Sequence, residues 1–202
     1  QFTLTHQYLD DNPTASLVDI YTITATLTDD DGLESTDDTT VTIANVAPTI
    51  TLDPVIGIDE DGTATLTGTI ADPGTLDTFT LVVDWGDPLS PDNTTTHNYQ
   101  PSASGTQNFT ITHQYLDDNP TSTPLDNYTI RATLTDDDTA TDTDNTVVTV
   151  ANVAPVVILD PVQSINENDT ATLTGTITDP GTLDTFTLVI HWGDPLNPAA
   201  ET

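Results

Sequence analysis

TATLTGTIADPGTLDTFTLVVDWGDP occupies residues 63–88, and the fold turns on how it is read. Ala64, Leu66, Gly68 and Ile70 alternate with threonines, and Phe79, Leu81, Val83 and Trp85 form a second apolar row. A period of two with β-branched residues on the opposite face is the pattern of half-buried antiparallel strands. The Asp-Pro-Gly between the rows is turn chemistry. The same rhythm continues outward. Tyr128, Ile130, Ala132 and Leu134 alternate with Thr129, Arg131, Thr133 and Thr135, and further rows carry Phe109 with Ile111 and Val148 with Val150. Stretches rich in Asp, Asn, Pro and Gly break the runs at 59–62, 71–76, 86–93, 117–120 and 136–144. No window has helical spacing. About seven short strands in ~100 residues, with turns between them, predict an all-β chain built as a β-sandwich.

The stretch from Thr63 returns from Thr170, an offset of 107 residues with no insertion or deletion. FTLTHQYLDDNP from Phe2 returns as FTITHQYLDDNP from Phe109, and IANVAP around Asn45 as VANVAP around Asn152. A period this long is a whole small domain, so the chain reads as part of a tandem array. NVAP, at 45–48 and 152–155, is the seam between a final strand (41–43, 148–150) and a first strand (49–52, 156–159). Its proline limits the linker's freedom and stops the ladder running through. The expected domains are a complete repeat at 47–153, the C-terminal half of a preceding repeat at 1–46, and the N-terminal half of a following one at 154–202. The two halves are complementary, lacking together only the counterpart of residues 96–107. Either the chain is a window on a long polymer, or the C-terminal half of one chain completes its neighbour head to tail. Both predict linear assembly with neighbouring copies of the repeat.

Of the 33 acidic residues 29 are Asp, and Arg131 is the only strong base, which leaves a net charge of −32. Nothing here could neutralise phosphates, so nucleic acid and anionic membrane surfaces are excluded as partners. No apolar run is long enough for membrane insertion of this segment. Such charge repels itself, and bound divalent cations or external salt must offset it. The excess of Asp over Glu suits turns and hard cations. Calcium with a solvated acidic surface, or that surface alone, would account for it. The absence of cysteine rules out disulfides, and the absence of lysine rules out Lys–Asn isopeptide cross-links.

WGDP at 85–88 and 192–195, the DPGTLDTFT run before it, YTITATLTDDDG at 21–32 and the NVAP linker together resemble PKD-like repeats. These are immunoglobulin-like sandwiches found in tandem in large bacterial and archaeal surface proteins. The resemblance covers the whole chain. It implies an extracellular, cell-surface location and a role as spacer, adhesin stalk, filament segment or enzyme appendage. Pro88 and Pro195 replace the last glycine of the commoner WGDG and should reshape that turn. The acidic positions also look like those of calcium-binding cadherin-like repeats, although the linker lacks their DxND cluster.

Comparison of the two copies separates candidate ligands from filler. Asp59, Asp61 and Asp84 become Asn166, Asn168 and His191. Glu60 returns as Glu167, Asp72 as Asp179, Asp77 as Asp184, Asp10 and Asp11 as Asp117 and Asp118, and the triplet Asp29, Asp30, Asp31 as Asp136, Asp137, Asp138. On a sandwich, Asp72, Asp77 and the 136–138 triplet fall at the end that receives the preceding linker with Asn45, whose counterpart is Asn152. Glu60, Asp117 and Asp118 fall at the opposite end. A calcium ion takes six to eight oxygens at about 2.3–2.6 Å, and each end offers at least three carboxylates on solvent-exposed loops. Calcium near the junctions is therefore expected, with turn capping as the competing role, above all for Asp72.

Trp85 and Trp192 share the inward phase of their strands and read as core rather than as sugar platforms. Tyr21 and Tyr128 resemble a tyrosine corner, and His6 and His113 extend an inward row as structural histidines. No nucleophile–base set recurs, so no enzyme is expected. Asn93, Asn108, Asn127 and Asn168 stand in N-x-S/T triplets and allow a glycoprotein. The expected function is a calcium-stiffened structural segment. The competing functions are an adhesion module binding glycans or protein, and an appendage of a secreted hydrolase.

Overall fold

The computed structural model describes residues 1–11, 14–119, 121, 123–196 and 200–201; Asn12, Pro13 and Pro120 of the LDDNP stretches lie outside them. The described residues form strands and no helix. In chain order these are β1 (Val18–Thr28), β2 (Glu34–Ala44), β3 (Thr49–Leu52), β4 (Ile58–Asp59), β5 (Thr63–Ala71), β6 (Phe79–Asp84) and β7 (Thr94–Tyr99). They continue as β8 (Thr106–Gln114), β9 (Leu125–Asp136), β10 (Thr141–Ala151), β11 (Val156–Leu159), β12 (Gly175–Thr178), β13 (Ile190–His191) and β14 (Ala200–Glu201).

Residues between the two NVAP seams build two sheets about one core, an arrangement consistent with a β-sandwich. One sheet has the order β3-β5-β8 and the other β4-β10-β9-β6-β7. Every neighbouring pair is antiparallel except β4 with β10, where Ile58 opposes Val150 and Asp59 opposes Ala151 in parallel. The chain thus crosses from one sheet to the other between β3 and β4, which places Glu60 beside the end of β10. Glu60 N–H donates to Ala151 C=O at 2.9 Å.

The alternating rows meet in the core. Leu66 and Ile70 of β5 face Leu81 and Val83 of β6, Ile130 and Leu134 of β9, and Val148 and Val150 of β10 in one buried cluster. Burying each such side chain contributes roughly 1.5–3 kcal/mol. Trp85 is fully buried, and its Nε1–H donates to the Thr95 hydroxyl at 3.2 Å. The His113 ring stacks on it at 5.0 Å, and His113 Nε2 lies 3.1 Å from the Asp87 carboxylate. Tyr128 donates its phenol to Asp117 C=O at 3.2 Å, tying β9 to the acidic loop eleven residues upstream.

Alternating apolar positions alone place the start of the last strand near Val148, whereas β10 starts at Thr141. The added residues carry polar side chains on the sandwich side because those side chains have backbone work to do. Asp142 and Asp144 accept the N–H groups of Ile50 and Leu52 on β3, each at 2.9 Å. Outside this unit, β1 and β2 form a hairpin, and β11–β12 and β13–β14 form two-stranded ladders.

Candidate metal centres

Two acidic knots flank the central unit, one at each seam. At the first, three groupings hold ligand oxygens within 4.8 Å of one another: Asp72, Asp77 and Asp136; Asp77, Asp137 and Asp138; Asp10, Asp11 and Asp138. At the second the groupings are Glu60, Asp117 and Asp118, and Glu60, Asp179 and Asp184. These clusters of largely buried acids could hold metal ions.

Local sequence explains how each loop presents its acids. Asp72 follows directly on β5, and its Oδ1 accepts Gly74 N–H at 2.7 Å, a tight Asx turn across Pro73. Asp179 repeats that turn with Gly181 at 2.9 Å. The glycines matter for a further reason. A Cβ on Gly74 would sit 2.4 Å from Asp77 Oδ2, and one on Gly181 would sit 2.5 Å from Glu60 Oε2. Asp136 closes the β9–β10 turn, where Oδ1 accepts Ala140 N–H at 2.7 Å and Oδ2 accepts the Asn45 amide at 2.8 Å. Asp137 accepts Thr78 N–H at 2.9 Å, which joins this turn to the loop before β6.

Contacts across the seams hold the loops of successive segments together. Thr75 N–H donates to Leu9 C=O at 3.2 Å, and 107 residues on Thr182 N–H donates to Leu116 C=O at the same distance. Asp117 Oδ2 accepts Leu183 N–H at 2.8 Å, and Glu60 Oε1 accepts Val153 N–H of the linker at 2.7 Å. Beside the second knot lies a cavity of about 390 Å³ bordered by Asp118, Asn119, Asn152, Asp184 and Thr185. At the first knot the counterparts of Asn152 and Thr185 are Asn45 and Thr78, and these hold the 136–138 turn.

The electrostatics are adverse without a cation. Asp11, Glu60, Asp72, Asp77, Asp118 and Asp138 are all at least nine-tenths buried, and each has a carboxylate oxygen with no hydrogen-bond partner. Asp77 is 1 % exposed and has two such oxygens. Burial pushes the Asp77 carboxyl up to about 8, helped by Asp10, Asp72 and Asp137. Burial likewise lifts Asp72 to about 6, aided by Asp136 and Asp10, and Asp138 to about 6, aided by Asp11. Asp11, Glu60, Asp118 and Asp184 move in the same direction, again mainly through burial. Arg131, the chain's one strong base, faces none of these groups: it lies on β9 opposite Asp84 and Asn145.

Twelve of the residues expected from the sequence thus fall into the groupings, and Asn45 joins them through Asp136. Asn152 borders the second cavity, with its N–H donating to Pro124 C=O at 3.1 Å. Asp29, Asp30 and Asp31 instead form an exposed hairpin turn in which Asp29 Oδ1 accepts the N–H groups of Asp31 and Leu33, and Glu167 is exposed outside any grouping. The expectation that the loop carboxylates face solvent is corrected. The loops of two successive segments close over one another, so most of these acids are buried. Gly74 and Gly181 shape both sites and were missed by reading acids alone, although the DPGTLD string at both positions carried the signal.

Compared with known proteins, the chain matches no family model and no curated sequence.

Proposed function

We propose that this chain is a non-enzymatic structural segment of an extracellular surface protein or filament, made of PKD-like, immunoglobulin-like repeats in tandem and stiffened by calcium at the seams. One observation carries this: acids from before and after each linker converge, with buried carboxylate oxygens that no protein donor satisfies. Such oxygens are costly unless a cation or a proton meets them. The ligand set is all oxygen, with no His or Cys in any grouping, which selects a hard cation. Many donors on separate loops suit the six to eight oxygens of calcium better than the strict octahedron of magnesium. A cation there joins two segments across a proline-restricted linker, and that stiffens an array with neighbouring copies placed head to tail.

The test is thermal unfolding of the 202-residue chain in chelator and in millimolar calcium, with small-angle scattering of both states. The expected result is a higher Tm and a narrower distribution of lengths in calcium. Identical melting and scattering in both would sink this function.

A further inference from the structure

Resting on the calcium reading above, we propose that each seam holds its cations as a bridged row rather than as a single ion. At the first seam Asp77 and Asp138 are the shared ligands, and Asp10 and Asp11 close the row from across the linker. The three groupings there are not independent. Asp77 belongs to two of them and Asp138 to two, so they form a chain linked through shared carboxylates. Two oxygens bound to one calcium at about 2.3–2.6 Å lie no more than about 5 Å apart, and the 4.8 Å spread of each grouping fits one ion.

Hydrogen bonding sets Asp77 apart from Asp136 independently of that spacing. Asp136, in one grouping, has both oxygens engaged by Asn45 and Ala140. Asp77, in two groupings, has both oxygens buried and unpartnered, which leaves one for each of two cations. Asp138 is 2 % exposed and has an unpartnered Oδ2. Charge favours several ions as well. The seven carboxylates of this knot carry −7 when ionised; one divalent cation leaves −5, whereas three leave −1. The second seam repeats the device with Glu60, which belongs to groupings on both sides of the linker and has an unpartnered Oε2.

The row is asymmetric. Two positions at the first seam draw only on residues 72–138, while the third takes Asp10 and Asp11 from before the linker. The third position is therefore the latch between segments, and the other two order the loops that receive it.

Calcium bound to the full chain is counted by native mass spectrometry, at the lowest free calcium that saturates the wild type. Relative to wild type, Asp136→Asn and Asp11→Asn each lose one ion, whereas Asp77→Asn and Asp138→Asn each lose two. Scattering shows a loosened seam for Asp11→Asn and Asp138→Asn and an unchanged one for Asp136→Asn. Equal losses for Asp77→Asn and Asp136→Asn overturn the bridged row while leaving calcium stiffening intact, and no loss for Asp11→Asn overturns the latch. A wild type that binds no calcium removes the proposed function itself. Anomalous scattering from calcium-grown crystals reads the wild type directly: a row of peaks is expected at the first seam, and a single peak there overturns the row.

Discussion

The central unit and its flanks contain the same residues in two conditions. Leu134 and Trp85 are fully buried in the central unit; their counterparts 107 positions away, Leu27 and Trp192, are 76 % and 41 % exposed. Ile130 and Ile23, or Leu81 and Leu188, show the same contrast. The flanks keep only part of their strands: β1 pairs with β2 over all eleven residues of each, whereas residues 2–7, 170–174 and 186–189, whose counterparts lie in β8, β5 and β6, are not in strands. The alternating pattern is therefore enough where a hairpin partner adjoins it in sequence, as in β1–β2, while the remaining strands and the core need both sheets. The seams behave differently. The Thr75–Leu9 and Thr182–Leu116 hydrogen bonds are alike, although each joins the closed unit to an open flank. These seam contacts thus form without a finished core on both sides.

The strongest way to break this comparison is to truncate the same side chain in both conditions. Trp85→Ala is expected to cost about 3–5 kcal/mol in denaturant unfolding, and Trp192→Ala less than about 0.5 kcal/mol. Equal effects would show that the flanks share a core with the central unit. Next comes calcium itself, which at about 100 times its Kd should stabilise the seams by about 2.7 kcal/mol. That gain should survive in a Trp192→Ala chain, because the seams do not draw on the flank's apolar row. Gly181→Ala sharpens the second seam alone: its Cβ would displace Glu60 Oε2, and calorimetry should show about tenfold weaker calcium binding there, with the central unit's unfolding unchanged.

A smaller effect is set by pH. The folded-state pKa values of Asp72, Asp77 and Asp138 are raised to about 6, 8 and 6, above the ~3.9 of an unfolded Asp. In chelator their contribution is therefore fully present below about pH 4 and is lost as pH rises through 6 to 8. Metal-free chain should melt higher at pH 5 than at pH 8, and calcium should reverse the order because it competes with those protons. The smallest effect expected is that of Asp30→Asn in the exposed hairpin, which should leave both calcium binding and melting unchanged.

Much of the fold was legible because strand alternation is a local property. The rows of β5, β6 and β9 follow from their side chains one by one. The crossing of the chain to β4 was not legible, since two residues of parallel pairing leave no periodic trace. The start of β10 was hidden for a related reason: Asp142 and Asp144 look like turn residues until their partners on β3 are known. At the candidate sites the acids and their two ends could be picked out from recurrence. Their burial could not, because it arises when loops from either side of a linker meet. Glu60 shows this most clearly, reaching over a glycine 121 positions away in sequence to Asp184 and Asp179.

The two aspartates of β10 that bond to β3 have a consequence for an array. β3 is the edge of its sheet, and its outward N–H groups are the template on which a foreign strand would dock. Asp142 and Asp144 occupy the N–H groups of Ile50 and Leu52 with charged caps drawn from the same unit. Near-identical neighbours on one chain meet at high local concentration, where strand exchange and edge-to-edge pairing are the ready errors. The carboxylates close that route at β3, so repeats that resemble one another this closely can stand in series without mispairing along that edge.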